Sequence, residues 1–458
     1  MRKMLTALTG LFVAITAAAA EFAVLGDSYS TFEGVIPKTN GTWYQKKGAR
    51  NDVTDAREMW WHLVAEDTGL KRGTIDAWTS TTICNRGYRG QDCKDRSFLA
   101  RVDRLGKPDI IFVCGATNDD WAGVPLGEFK KSGWTDEELY TFRPGLAKLL
   151  FDLKARYPKA KIYFILNSEL KAEINESVHR ICKENKIPCI DLHDIEKQSK
   201  HPSRNGMRAF ADQVIARLAA DGVVAKPKTP KNGALRPRSR LEDDSYDWWA
   251  RHDRVLAEAK AMKPEIVLLG DSITHHWAGV NSLGALSDPE TTPYFRTAFG
   301  GKAALDLGFG WDRTQNLLWR LRHGELDGLA PKQVVMMIGT NNLTDGKGAR
   351  RNTPAEIVEG VLECAREVRA RLPKAELTVM GILPRGNRGD PLRADIKAIN
   401  AQLAAKAKKA GFRFLDISDK FLEANGDRKA GLYRDLVHLT PNGYMLWAQA
   451  LKADAAAK

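Results

Sequence analysis

The same programme of residues runs twice through this 458-residue chain, in the same order each time. An apolar run breaks at Gly-Asp-Ser, a later apolar run breaks at a Gly-containing stretch that holds an Asn, and a His follows near the end of the unit. The first pass reads FAVLGDSYS with Ser28, IIFVCGATND with Asn118 and HPSRNGM with His201. The second reads IVLLGDSIT with Ser272, VVMMIGTNN with Asn341 and DLVHLTPNGY with Asp435 and His438. A chain of this length exceeds one ordinary core and fits two domains of about 200 residues. The repeat places unit one at 21–224 and unit two at 245–458, with 225–244 between them.

Within each unit, short β-rich apolar runs alternate with longer amphipathic segments, the order expected of a parallel sheet covered by helices on both faces. Unit one has strand-like runs at 22–25, 110–114, 162–166 and 189–192, and helix-period segments near 55–69, 135–157 and 205–220. Unit two has runs at 266–269, 334–338, 377–382 and 412–417, and helical segments near 246–262, 355–371 and 394–410. In such sheets ligands bind beyond the carboxyl ends of the strands, where the Gly-Asp-Ser and Asn motifs both fall.

Residues 1–20 read as a secretory leader, with Arg2 and Lys3, an apolar stretch, and Ala18 and Ala20 in A-x-A spacing, which predicts cleavage near Ala20 and export. No later stretch is long and apolar enough to span a membrane. Cys84 with Cys93, and Cys182 with Cys189, are close enough in sequence to close small disulfide loops in an oxidising compartment, free buried thiols being the alternative. Neither CxxC nor HExxH occurs, so the sequence gives no metal signature and implies no cofactor. The net charge is +13, two lower without Arg2 and Lys3. Part of that excess lies between Lys226 and Arg240 among Pro227, Pro230 and Pro237, which reads as a solvated basic linker. Basic and aromatic residues do not interleave as nucleic-acid binding would require.

A serine, an amide and a late histidine at strand ends are the parts of an acyl-transfer site. In unit two, His438 is the candidate base for the Ser272 hydroxyl, and Asp435, three residues earlier, can accept a hydrogen bond from imidazole Nδ1 and leave Nε2 to take the proton. The oxyanion of an attacked ester needs donors already in place: the backbone N–H of Ser272, one from the turn Gly308 to Asp312, and the Asn341 amide. Trp60, Trp61, Trp248 and Trp249 sit in helical segments and read as packing aromatics, whereas Trp43, Tyr44, Trp121 and Trp277 fall in loops beside the motifs, where lining a substrate is an equal alternative. His275 and His276 follow the serine too closely to be its base.

GDSIT, GTNN and DLVHL resemble, in order, the blocks of the SGNH (GDSL-type) hydrolases. The stretch from Gly308 to Asn342, with GILPRG after it, is similar to the branch of platelet-activating-factor acetylhydrolase Ib subunits. The resemblance implies two flavodoxin-like three-layer α/β/α domains and a metal-independent esterase. It further implies Ser272 as nucleophile, His438 as base, Asp435 as its orienter, and Gly310 and Asn341 in the oxyanion hole, with Trp311 the alternative to Gly310. Unit one resembles the family through Ser28, Asn118 and His201. Gln198 stands where an Asp would orient the ring, so a Ser28–His201 dyad held by a backbone carbonyl is one reading and a non-catalytic, substrate-binding unit the other. Its Gly block is sought at Gly87 or Gly90. The expected function is an exported carbohydrate O-acetylesterase acting on acetylated oligo- or polysaccharide. A lipid or aryl ester hydrolase, or a carbohydrate-binding protein with an inactive hydrolase domain, is the alternative.

Overall fold

The computed structural model describes residues 20–456 apart from 49, 227, 279–294, 296 and 297. The leader expected at residues 1–20 lies, but for its last residue, outside them. The described chain divides into two units at Pro227 and Lys228.

Unit one is a five-stranded parallel sheet built from β1 (Glu21–Gly26), β2 (Lys71–Ala77), β3 (Ile110–Gly115), β4 (Lys161–Leu166) and β5 (Cys189–Asp191), in the order β2-β1-β3-β4-β5. Its helices include α1 (Trp60–Thr68), α2 (Thr117–Trp121), α3 (Phe142–Arg156), α4 (Ala172–Glu184) and α5 (Arg204–Ala220). Alternation along a strand sends successive side chains into two separate cores. Phe22 and Val24 of β1 pack with Trp60 and Trp61 of α1 and Phe210 of α5. Ala23 and Leu25 pack with Leu149 of α3 and Val178 of α4 on the opposite face. Each large side chain so buried contributes roughly 1.5–3 kcal/mol, which explains why these strands are apolar throughout instead of alternating.

Unit two repeats the architecture. It opens with α6 (Trp248–Met262) and β6 (Ile266–Gly270), followed by α7 (Ser272–Ala278), β7 (Ala304–Gly308), α8 (Thr314–Arg322), β8 (Gln333–Met337), α9 (Pro354–Arg371), β9 (Glu376–Met380), α10 (Leu392–Ala410), β10 (Arg413–Leu415) and α11 (Pro441–Ala456). The strands are parallel in the order β7-β6-β8-β9-β10. Val334 and Met336 of β8 enter one core with Leu318 of α8 and Val361 of α9. Val335 and Met337 enter the other with Trp277 of α7 and Trp447 of α11. Trp60, Trp61, Trp248 and Trp249 are all core side chains. So are Tyr44 and Trp277, for which substrate lining was an alternative; Trp277 is fully buried among Phe295, Tyr444 and Trp447.

The stretch expected as a solvated linker is packed onto unit two instead. Asn232 donates to the Glu356 carbonyl, the Ala234 carbonyl accepts from Thr314 Oγ1, Arg238 N–H donates to the Gln315 carbonyl, and Glu242 accepts from the N–H groups of Lys347 and Gly348. The physical reason is backbone satisfaction: the start of α8 and the loop after β8 carry polar groups that this segment pairs. No helix among the described residues is long and apolar enough to cross a membrane.

Candidate active sites

Each serine sits at a strand-to-helix elbow. β1 and β6 end in Gly26 and Gly270, an Asp follows, and Ser28 and Ser272 begin helical turns whose first N–H groups have no intrahelical partner. The Asp closes the elbow: Asp27 Oδ1 accepts the N–H of Tyr29, and Asp271 Oδ1 that of Ile273, both at 3.0 Å. Burial raises both carboxyls to about 7, against the lowering effect of those backbone N–H groups. Space at the elbow of unit two is tight, for a Cβ on Gly308 would lie 2.2 Å from the backbone N of His275.

The histidines arrive from the other end of each unit. His201 and His438 lie two residues before Ser203 and Thr440, whose hydroxyls cap α5 and α11 by accepting from Gly206 N and Gly443 N. In both units the histidine Nε2 is 2.9 Å from the serine Oγ. The two imidazoles are held differently. His438 Nδ1 is 2.8 Å from Asp435 Oδ2, while Asp435 Oδ1 accepts the N–H of Val437 and of His438 at 2.7 Å. Partial burial pushes the Asp435 carboxyl up, but these hydrogen bonds outweigh it and bring the pKa down to about 2. His201 Nδ1 instead meets the Ser199 carbonyl at 3.0 Å. Gln198, where unit two has Asp435, accepts the N–H of Asp52 and serves the loop. Asp191 and Asp194 are near His179 and His193, not His201.

The amides complete the constellation. Asn341, at the end of β8, donates through Nδ2 to the Asp312 carbonyl at 3.0 Å, and Asn118, at the end of β3, donates to the Thr81 carbonyl at 2.9 Å. A carboxamide nitrogen has two hydrogens, and these bonds use one of them. Tyr88 fixes the Asn118 amide by donating to its Oδ1 at 2.8 Å.

The backbone donor is where the sequence expectation needs correction. Gly310 gives its N–H to His275 Nδ1 at 3.2 Å and does not offer it to a substrate. The next residue, Trp311, has φ +64°, and its N–H has no partner among the described residues. A non-glycine residue in this left-handed region costs roughly 1–2 kcal/mol, strain of a kind that collects at functional sites. Register locates the counterpart in unit one. Gly270 pairs with Gly308, three residues before Trp311; Gly26 pairs with Ala77, three residues before Ser80. Ser80 has φ +59°, is exposed, and immediately precedes Thr81, whose carbonyl holds Asn118 as Asp312 holds Asn341. Gly87 and Gly90 are not that block: Gly90 N–H closes a local turn on the Gly87 carbonyl.

Beneath each of these turns lies a buried arginine that sequence reasoning missed. Arg101 donates to the carbonyl of Gly26, to Thr81 Oγ1 and to Asp76. Arg320 donates to the carbonyl of Gly270, to Asp312 at 2.7 Å and to Glu325. Each ties the strand end that carries the serine to the turn beside it. A buried guanidinium is satisfied only by several acceptors at once, so it fixes their spacing. Around the histidines, Trp43 stacks on His201 with centroids 3.7 Å apart, exposed Trp121 lies 6.1 Å from it, and the ring of His276 is 5.0 Å from that of His438.

A doubly wound sheet with a serine, an imidazole and a carboxamide near its topological switch point places the parts of an acyl-transfer site where such sheets bind ligands. Residues 20–218 match GDSL-like lipase/acylhydrolase, and residues 268–446 match the GDSL-like lipase/acylhydrolase family. The chain belongs to that family of esterases and acylhydrolases, and carries two of its domains in tandem. Platelet-activating factor acetylhydrolase IB subunit alpha2 of Rattus norvegicus is 31% identical over 215 residues, covering 46% of this chain and 86% of the relative. Subunit alpha1 of Bos taurus is 32% identical over 226 residues, covering 48% and 88%. These relatives agree with the resemblance carried by the Gly308 to Asn342 stretch. Among solved structures, a GDSL-like lipase from Bacteroides ovatus is 48% identical, covers 44% of this chain and 100% of its own, and has a TM-score of 0.44.

Proposed function

We propose that the protein is an exported serine carboxylic ester hydrolase that removes O-acetyl groups from carbohydrate. The observation that carries the ester chemistry is the Ser272, His438 and Asp435 relay, with both hydrogen bonds shorter than 3 Å. Ser272 Oγ attacks the ester carbonyl while His438 Nε2 takes its proton and Asp435 stabilises the imidazolium. The oxyanion is received by the N–H of Ser272, the N–H of Trp311 and the second Nδ2 hydrogen of Asn341, each such donor contributing about 10²- to 10³-fold in rate. His438 then gives the proton to the leaving alcohol, and the same imidazole activates the water that releases acetate. Unit one runs the same steps with Ser28, His201, Asn118 and the N–H of Ser80, its ring oriented by the Ser199 carbonyl.

The acetyl preference is supported by the relatives' name, and export by the leader pattern of residues 1–20. Sugar as the alcohol is supported by the indoles beside the sites: Trp121 is 38% and Trp311 46% exposed, and such faces stack on pyranose rings. The phospholipid-related name of the same relatives favours a second reading, a lipid ester hydrolase. Acetylated oligosaccharides assayed for released acetate, beside p-nitrophenyl esters of increasing acyl length, separate the two. Acetate release with rates falling as the acyl chain grows is expected; preference for long chains with no acetate freed from sugars overturns the sugar assignment.

Burial drives the His201 imidazole down to about 4 from its usual 6.5, although the Ser199 carbonyl pulls the other way. The working base is the neutral ring, so the rate measured in a Ser272→Ala chain is expected to hold as pH falls through 6 and to drop only near pH 4. A limb near pH 6.5 contradicts the dry, carbonyl-held imidazole. For stability the sign is the same: the unfolded ring takes its proton first, so unit one loses stability as pH falls from about 6.5 to about 4.

A further inference from the structure

Away from both serines, α4 and β5 bring three donors of different chemistry together. His179 projects from the helix; Cys189 and Asp191 are alternate residues of the strand and therefore share a face. His179 Nε2 is 2.8 Å from Asp191 Oδ1, Cys189 Sγ is 3.3 Å from the same oxygen, and all three donor atoms lie within 4.8 Å of one another. From these positions we infer that His179, Cys189 and Asp191 form a binding site for a divalent metal ion of the zinc class.

The ligand set decides the class. A thiolate with an imidazole and a carboxylate suits zinc, whereas magnesium and calcium take oxygen shells. Metal–ligand distances of about 2.0–2.3 Å in a tetrahedron put N and O about 3.3 Å apart, and S and O about 3.6 Å apart. The pairs that share Asp191 Oδ1 need to open by only a few tenths of an ångström, and the His179 and Cys189 donors, within 4.8 Å of each other, would settle at about 3.6 Å. His179 and Asp191 are half-exposed and can do so, and a bound metal displaces the thiol proton of its cysteine ligand to water. The site has an open side: His179 and Asp191 line a cavity of about 490 Å³ that also takes Asn167 and Asn175, whose Oδ1 atoms are buried without a hydrogen-bond partner. A polar cavity of that size holds water, which supplies the fourth ligand of a three-donor site. The competing fate of Cys189 is a disulfide with Cys182, which lies one turn beyond His179 on the same helix.

Cobalt titration of the purified full-length chain, first freed of metal by chelation, tests the site without reference to hydrolysis. Wild type is expected to bind one Co²⁺ with a thiolate-to-cobalt charge-transfer band and visible bands of tetrahedral intensity, both erased by one equivalent of Zn²⁺. Cys189→Ser should remove the charge-transfer band, and His179→Ala should weaken binding at least 100-fold, while Cys364→Ser, in the other unit, changes neither. No such bands in wild type, or bands that survive Cys189→Ser, overturns the assignment. So does peptide mapping of the exported protein that finds Cys182 and Cys189 joined.

Discussion

Replacing Ser272 with alanine in a chain that already carries Ser28→Ala is expected to lower kcat for acetyl-ester cleavage by about 10⁶-fold, leaving only what the oxyanion donors and binding contribute. The double background matters because the chain carries two elbows with the same 2.9 Å Ser–His contact. Ser272→Ala alone is expected to leave turnover by the unit-one dyad, and Ser28→Ala alone turnover by the triad of unit two. Circular dichroism and thermal melting should be unchanged, since Ser272 loses one partly buried hydroxyl and creates no cavity worth more than about 1 kcal/mol. Release of p-nitrophenol or acetate by the four chains (wild type, each single variant and the double) gives the result directly. Turnover by the double variant within tenfold of wild type means that the ester is opened elsewhere, and the assignment of both nucleophiles falls.

The two units also show what a sequence can and cannot reveal about such a site. β1, β3, β4, β6, β8 and β9 are legible because they are buried on both faces and contain little but apolar residues. Of the edge strands, β5 and β10 fall within the runs expected at 189–192 and 412–417, but β2 and β7 are not legible. β2 opens with Lys71, Arg72 and Gly73, and β7 is five residues long with the buried charge of Asp306 at its centre, so neither shows a strand period. The turns at Trp311 and Ser80 follow these two strands, and that is why the second of them is hard to place from sequence. The family's Gly block points to Gly310, with Trp311 its alternative, and to Gly87 or Gly90, whereas the left-handed residues that follow the paired strand ends are Trp311 and Ser80. Only strand register, pairing Gly270 with Gly308 and Gly26 with Ala77, shows the two turns to be the same object. Charge misleads in a similar way at 228–244. Its lysines, arginines and prolines describe a solvated linker, yet what holds it to unit two is hydrogen bonding by its backbone, by carboxamides and by the Glu242 carboxylate, invisible in composition.

The two histidines make a natural comparison of a charged and a neutral partner for the same ring. Asp435, its pKa brought down to about 2, is ionised at neutral pH, and its second oxygen is anchored by two backbone N–H groups, which hold the carboxylate facing Nδ1. Asp435→Asn keeps the shape and removes the charge. It also admits an amide that can turn its NH₂ toward the ring and select the tautomer with its proton on Nε2, which cannot accept from Ser272. In a Ser28→Ala background the expected loss is about 10³- to 10⁴-fold in kcat, with KM within threefold, because the change acts on the transition state and not on ester binding. The lower end of that range follows from exposure: the Asp435 side chain is 49% accessible, so water already screens part of its effect on the imidazolium. Unit one bounds the outcome from the other side, for a fixed carbonyl at Ser199 holds the productive tautomer of His201 without any charge. If Asp435→Asn turns over within tenfold of its parent, then tautomer control by a neutral acceptor is sufficient in both units and the Asp435 carboxylate is dispensable to the chemistry.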